Sequence, residues 1–163
     1  MTRQRNILAM AIGALCVGVL FYALARQHNH VYFLPHWMIP LDFSVDSFAP
    51  LGDHLPTFIH VYAFILLTVV VAAPSVTRIL PICLAWFTLD SLLECAQIDS
   101  IARWIALHTP DWFYGIPFLE NTANYFLFGT FDALDLLSIA AGTIAAYMTV
   151  NKTQEGLYDE NPS

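Results

Sequence analysis

Charged residues are scarce in this sequence, and basic residues are the scarcest. Of 163 residues, 12% are charged and 58% are hydrophobic, whereas a soluble domain carries about 25% charged residues. With a mean hydropathy of +0.60, this composition excludes an ordinary soluble domain and indicates an integral membrane protein. The formal net charge is −7, and no basic tract indicates a nucleic-acid partner.

Cysteines and catalytic motifs are also few. The three cysteines, Cys16, Cys83 and Cys95, all lie in apolar runs, which is typical of small buried side chains rather than of a disulfide framework. The chain has no His-Glu-x-x-His motif and no serine nucleophile elbow, and we predict no cofactor. Its length leaves no room for a separate soluble catalytic domain.

What the sequence has instead is four long apolar runs, which predict an all-α fold: an integral membrane four-helix bundle. The predicted spans are residues 7–25, 57–73, 79–98 and 132–150. They form one transmembrane domain, residues 1–150, and a flexible polar tail follows at residues 151–163. Pro56 is interpreted as the helix breaker before the second span.

Two long connections, residues 26–56 and 99–130, are rich in proline and aromatic side chains. This composition is typical of loops that lie along the membrane interface. Within the second connection, Ile101, Trp104 and Ile105 indicate a short amphipathic segment.

The first span raises the question of a signal peptide, because it ends with the possible cleavage site Ala23-Leu24-Ala25. Its apolar run exceeds the usual core of about 7–15 residues, which favours an uncleaved anchor. The basic residues beside the four spans then set the orientation. Arg3, Arg5, Arg78 and Lys152 share one side, against Arg26 and Arg103 on the other. The positive-inside rule places both termini in the cytoplasm.

The third span carries polar side chains on one helical face. Asp90 and Glu94 lie about 40° apart around the helix, and Gln97 lies close to Glu94. An ionisable group inside a span costs at least about 2.5 kcal/mol and normally faces a bundle interior or a wet cavity. No Lys or Arg lies inside a span, which leaves protonation, a histidine, a metal ion or another chain's base as possible partners.

The predicted orientation brings polar residues from three spans to the outer leaflet. His60 begins the second span, Glu94 and Gln97 end the third, and Asp132 and Asp135 begin the fourth. We predict a polar pocket that opens toward the outer face and is covered by the two connections. The predicted ligand-binding residues are Glu94, Gln97, Asp132, Asp135, His60 and Asp90.

Structural roles are open for several of these residues. Asp132 could instead satisfy the free N–H groups at a helix start. His60 could be a hydrogen-bonded packing residue, and Gln97 could form a hydrogen bond that joins two helices. On the fourth span, small residues recur at helical spacing as far as Gly142 and Ala146, and that face is expected to pack inward.

Two of these patterns together resemble a known family. Glu94-Cys95-Ala96-Gln97, followed by Phe131-Asp132-Ala133-Leu134-Asp135-Leu136 and Gly142, is similar to the VanZ-like membrane proteins. That family shows a Glu-x-x-Gln helix end, then Arg-x-x-Asp-x-x-Asp and Asn-x-x-Gly. His60 with Tyr62 and Phe64 resembles the family's second-helix start, and the resemblance covers residues 56–147.

The sequence departs from the family pattern at two positions, with Gly129 in place of the Arg and Ile139 in place of the Asn. Either the acids have lost a basic partner, or Arg103 supplies it. The family is similar to the protein conferring low-level teicoplanin resistance. The resemblance therefore implies a multi-pass protein of the bacterial inner (cytoplasmic) membrane, in the cell envelope, rather than a particular reaction.

Four functions fit these observations. The first is binding of a lipid-linked sugar, glycolipid or glycopeptide-type ligand, with membrane lipids as partners. A second is a metal-assisted hydrolase or transferase acting on a lipid phosphate, with imidazole and carboxylate ligands. A third is proton or ion transport through Asp90 and Glu94, which would require a homo-oligomer. The fourth is a structural subunit whose polar residues hold helices together.

Overall fold

The computed structural model describes residues 2–25, 49–72, 79–117 and 119–159. Within these ranges the chain is all helical, with six α-helices and no strand. The helices are α1 (Thr2–Ala25), α2 (Ala49–Ala72), α3 (Ile79–Cys95), α4 (Asp99–His108), α5 (Thr122–Phe128) and α6 (Ala133–Asp159). Two short 3-10 turns, Asp111–Phe113 and Leu119–Asn121, connect α4 with α5.

Helix α2 lies at the centre of the molecule, where it packs against α1, α3 and α6. Its side chains Val61, Ala63, Ile65 and Leu66 are fully buried, because these apolar positions face the three helices packed around α2. The other helices contribute to the same core with Ile7, Ala11, Ile79, Cys83, Ile139, Ala146 and Val150. Most of the buried apolar surface therefore forms around one helix.

Small residues allow two close helix contacts. A Cβ atom at Gly142 of α6 would lie 2.6 Å from the backbone oxygen of Phe58 and 2.5 Å from Val61 Cγ1. A Cβ atom at Gly18 of α1 would lie 2.9 Å from Ile59 Cγ2. Gly142 is buried, which confirms that the small-residue face of the fourth span packs inward.

The contacts between helices define their directions. Phe58 lies beside Gly142, and the Tyr62 hydroxyl lies 3.3 Å from Thr149 Oγ1, so α2 and α6 run parallel. Trp86 of α3 donates a hydrogen bond of 2.9 Å to Thr68 near the end of α2. Helix α3 is therefore antiparallel to α2, and its C-terminal end meets the N-terminal ends of α2 and α6.

In the part of the chain that the structure describes, two helices are long and apolar enough to cross a membrane: His54–Ala72 within α2 and Ala133–Thr153 within α6. A third span results if α3 and α4, which meet at a bend of 92°, count as one. Large apolar side chains are exposed on these helices, including Leu84, Leu92, Leu137 and Ile144. Lipid contact accounts for such exposure, so the protein associates with a membrane.

Three element boundaries differ from the sequence predictions. Helix α2 begins at Ala49 and continues through Pro56, so proline does not end the helix here. The second connection is largely helical, with α4 where the amphipathic segment was predicted. Helix α6 continues beyond Val150 to Asp159, so much of the predicted tail is helix.

Several sequence predictions lie outside the described residues. They concern most of the first connection, at residues 26–48, the link between the second and third spans, at residues 73–78, and the end of the predicted tail, at residues 160–163. Among the cysteines, Cys83 is buried, Cys95 is half-buried and Cys16 lies exposed on α1, so the prediction that all three are buried is wrong for Cys16.

Candidate functional site

The polar side chains meet at the end of the molecule where α3 finishes and α2 and α6 begin. We call this group the polar cluster, and it consists of His54, Glu94, Gln97, Asp132 and Asp135. It draws residues from three helices because the chain direction alternates from α2 to α3 to α6. The predicted meeting of Glu94, Gln97, Asp132 and Asp135 is therefore observed.

Glu94 is the buried centre of the polar cluster, with only 7% of its surface exposed. Its Oε1 accepts a hydrogen bond of 2.7 Å from the backbone N–H of Asp132. Its Oε2 lies 3.5 Å from the Gln97 side-chain nitrogen, which donates to it. A carboxylate at this place also complements the partial positive charge at the start of α6.

The Asp132 side chain caps the start of α6. Its Oδ1 accepts a hydrogen bond of 2.8 Å from the backbone N–H of Leu134. This is the helix-start role that the sequence left open for Asp132. The side chain is nevertheless 46% exposed. Its capping contact therefore leaves carboxylate surface accessible to a ligand.

His54 is the imidazole of the polar cluster. Its Nδ1 lies 2.9 Å from Asp135 Oδ1, and its Nε2 lies 3.9 Å from Asp132 Oδ2. The side chains of His54 and Asp135 are 21% and 19% exposed. His54 thus lies between two carboxylates and pairs with them as a cation when it is protonated.

His60, the histidine predicted for this site, lies elsewhere. It is exposed on α2, and its ring packs edge-on against Phe64 with 4.4 Å between the ring centroids. Six residues of helix place it about 120° around α2 from His54. His60 therefore does not belong to the polar cluster, and Asp90 is buried on α3 one helical turn from Glu94.

Sequence reasoning missed His54 because Pro56 was interpreted as the start of the helix. That interpretation placed His54 in a loop, whereas α2 begins before it, at Ala49. One signal was present: His54, Phe58 and Val61 follow the spacing of a single helical face. Phe58 and Val61 contact α6 at Gly142, and His54 continues that face to Asp135.

Gly129 and Arg103, which the sequence analysis singled out, lie at different distances from the polar cluster. A Cβ atom at Gly129 would collide with Oε1 of Gln97, so a larger side chain there would have to displace Gln97. Arg103, which the sequence analysis left open as a basic partner of the acids, lies outside the polar cluster and pairs with Asp99 on the exposed surface of α4.

The types of side chain in the polar cluster limit the chemistry of the site. Among the described residues, no group of three or more His, Cys, Asp and Glu side chains is arranged to hold a metal ion. The polar cluster contains three carboxylates and a single imidazole, so hydrogen-bond acceptors predominate. It therefore suits a ligand that is rich in hydroxyl or other donor groups.

Comparison of the chain with protein-family models, curated proteins and solved structures found no match. The resemblance to the VanZ-like proteins stays a prediction. The function is accordingly inferred from the geometry of the polar cluster and from the membrane character of the helices around it.

Proposed function

We propose that the polar cluster binds the head group of an amphipathic, hydroxyl-rich ligand such as a lipid-linked sugar or a glycolipid. The observation that carries the proposal is the partly exposed Asp132 carboxylate, whose Oδ1 accepts from the Leu134 N–H and whose Oδ2 lies 3.9 Å from His54 Nε2. Glu94 fixes its backbone and His54 lies opposite its side chain. An acceptor in a fixed position loses little freedom when a ligand binds.

The charge of the polar cluster favours a sugar over a phosphate. Sugar hydroxyls donate hydrogen bonds to carboxylates, whereas phosphate oxygens only accept them at neutral pH and carry the same charge sign. With three acids and one histidine, the cluster offers many more acceptors than donors. This balance favours the binding function over a reaction on a lipid phosphate.

The same proposal includes the cellular location and the membrane topology of the protein. Helices α1, α2, α3 and α6 form a VanZ-like four-helix bundle in the bacterial inner membrane, with both termini in the cytoplasm and the polar cluster near the outer leaflet. Support comes from α1, whose Ile7 and Ala11 belong to the common core. Large apolar side chains exposed on the outer faces of α1 and α3, such as Val19 and Leu92, are suited to contact acyl chains.

The test uses Asp132→Asn, because asparagine retains the helix-capping function and removes the charge. We expect this variant, purified in mild detergent, to retain several-fold less glycolipid than the unaltered protein. The co-purified lipid is quantified by mass spectrometry. The matched control is Asp111→Asn, which makes the same change at an exposed acid on the first 3-10 turn.

Thermal stability is measured on the same samples, so that a folding defect is recognised. Equal glycolipid retention by Asp132→Asn and the control would contradict the proposal. If lipid retention were unchanged while the melting temperature fell, the polar cluster would have a structural role and stabilise the packing of the helices.

A further inference from the structure

Helix α4 exposes its largest apolar side chains and buries its small ones. Leu107 and Trp104 are 83% and 60% exposed, whereas Ala102 is only 3% exposed. Ile105 and Ala106 follow Ala102 at helical spacing and are half-buried. An amphipathic helix of a soluble protein has the opposite arrangement, because its large apolar side chains face the core. The exposed side of α4 therefore requires surroundings that are at least partly apolar.

We call Ile101, Trp104 and Leu107 the outer face of α4, because they project from the side of the helix away from Ala102. Among the described helices, α5 is the one that packs closely against α4. The sequence placed Ile105 with Ile101 and Trp104 in one amphipathic pattern. The structure divides this group, since Ile105 is half-buried and the outer face stays exposed.

The direction of α4 is set by its bend of 92° from α3. Helix α3 runs antiparallel to α2, whose segment His54–Ala72 is long and apolar enough to cross a membrane. A helix perpendicular to such a pair lies along the membrane surface rather than across the bilayer. The bend follows Cys95 and precedes Asp99, at the end of the molecule that carries the polar cluster.

Aromatic side chains close to α4 in the chain and in the fold fit this location. Trp112 and Tyr114, which follow α4, are exposed, as is Phe128 at the end of α5. Trp and Tyr concentrate at the level of lipid head groups, because their rings are apolar and carry one polar group. A bilayer surface accommodates such side chains without a complementary protein surface.

The charges around α4 indicate which lipids it contacts. Arg103 is the only Lys or Arg between residues 99 and 128, and it is paired with Asp99. The 3-10 turns between α4 and α5 add two exposed acids, Asp111 and Glu120. Anionic lipids are recognised by clusters of Lys and Arg. The local charge therefore favours zwitterionic head groups.

We infer that the outer face of α4 is a membrane-contact surface, which inserts Trp104 and Leu107 between the head groups and upper acyl chains of zwitterionic lipids. This surface lies at the same end of the molecule as the polar cluster. The inference does not depend on the ligand that is proposed for the polar cluster.

The first test uses Trp104 as a fluorescent probe in lipid nanodiscs. Trp37→Phe, Trp86→Phe and Trp112→Phe leave Trp104 as the single tryptophan. Phosphatidylcholine brominated near the head-group end of its acyl chains is expected to quench Trp104 about twofold more than the same lipid brominated near the chain ends, because interfacial helices lie at the head-group boundary. The control variant retains Trp86 alone, in the middle of α3, and should show the reverse order.

A nitroxide probe repeats the measurement with every tryptophan in place. In a background with Cys16→Ala, Cys83→Ala and Cys95→Ala, the label is attached at Leu107→Cys or, as the control, at Asp111→Cys. At position 107 we expect oxygen, which dissolves in lipid, to relax the nitroxide more than a water-soluble nickel chelate does. The order should reverse at position 111.

The head-group preference is measured in nanodiscs with equal amounts of phosphatidylcholine and phosphatidylglycerol, only one of which is brominated. Brominated phosphatidylcholine is expected to quench Trp104 several-fold more than brominated phosphatidylglycerol. Asp111→Lys combined with Glu120→Lys should remove this difference, because charges near a membrane surface attract or repel anionic lipids. Equal quenching of the unaltered surface by both lipids would overturn the assignment to zwitterionic lipids.

Absence of quenching by any brominated lipid, together with nickel access at position 107, would overturn the membrane contact. Strong quenching of Trp104 by aqueous acrylamide would then place the outer face in water. Protection from both acrylamide and brominated lipid would also overturn the proposal, because it would mean that a protein covers this face, either a second copy of the chain or another partner.

Discussion

At the scale of single residues, Glu94 shows how a buried acid is stabilised in a chain whose predicted spans contain no basic side chain. A buried acid needs a positive or donor partner, yet no Lys or Arg lies in the predicted spans. The partner is the start of α6, whose backbone N–H at Asp132 donates to Glu94. A helix N-terminus has unsatisfied N–H groups and partial positive charge, so it stabilises a carboxylate without a basic side chain.

The contact between His54 and Asp135 joins α2 to α6, and a double-mutant cycle measures its strength. We expect His54→Ala and Asp135→Ala to be coupled by about 1 kcal/mol in the free energy of unfolding, a value typical of interhelical hydrogen bonds. Unfolding of the purified protein in detergent, followed by circular dichroism, provides the four free energies.

The control cycle pairs His54→Ala with Asp111→Ala, an acid on the exposed turn after α4. Sites without shared partners show additive effects, so its coupling should be close to zero. Equal coupling in both cycles would mean that the contact of 2.9 Å contributes nothing specific to stability.

Residue-level prediction succeeded where a side chain lay on an unambiguous helix. Glu94 and Gln97 are three residues apart near a helix end, and Asp132 and Asp135 repeat that spacing at a helix start. Their shared faces follow directly from helical geometry. The histidine could not be assigned in this way, because the choice between His54 and His60 depended on whether α2 passes through Pro56.

At the scale of helices, glycine determines how closely α6 approaches α2. The added Cβ at Gly142 would lie within contact distance of the backbone of Phe58, which cannot rotate away as a side chain can. The two helices would therefore have to separate. This contact lies between the polar cluster and the core, so a shift there would also displace Asp135 from His54.

Gly142→Ala is expected to lower the free energy of unfolding by about 1–3 kcal/mol, as overpacking does in a close-packed core. The matched control is Gly13→Ala on α1, where no atom lies within 4 Å of the added Cβ. There the change should be neutral or stabilising by up to about 1 kcal/mol, because alanine favours helix. Thermal unfolding of both variants in one detergent makes the comparison. Equal destabilisation would contradict the close contact.

The apolar runs predicted the long helices, and the amphipathic pattern of Ile101, Trp104 and Ile105 predicted a separate interfacial segment after the third span. The run at residues 79–98 did not predict where that span ends, because it contains no breaker after Pro81. In the structure α3 ends at Cys95 and α4 leaves at 92°. Helix α4 packs against α5, and this tertiary contact, which periodicity does not encode, accompanies the bend.

At the scale of the whole molecule, the directions of the helices make the two ends of the bundle chemically different. One end carries the polar cluster together with the turns that follow α4. The other end lies toward the C-terminal part of α6, where Val150 is fully buried and Lys152 is exposed. The proposed orientation places the first end outside the cytoplasm and the second inside, so the two ends differ in access to reagents.

Thiol labelling of intact cells tests this orientation. In a background with Cys16→Ala, Cys83→Ala and Cys95→Ala, single cysteines are introduced as Asp111→Cys and Lys152→Cys, both at exposed positions. A membrane-impermeant maleimide is expected to label Asp111→Cys in intact cells. It should label Lys152→Cys only after the inner membrane is permeabilised.

The reverse labelling pattern would place the polar cluster on the cytoplasmic side and assign its ligand to the inner leaflet. Labelling of both positions before permeabilisation would mean that an even number of spans, zero or two, lies between them. In the proposed bundle two crossings lie between the start of α3 and residue 152, but α6 alone separates residue 111 from residue 152. A single crossing places residues 111 and 152 on opposite sides of the membrane. Labelling of these two positions therefore tests whether α6 spans the membrane as its length and composition indicate.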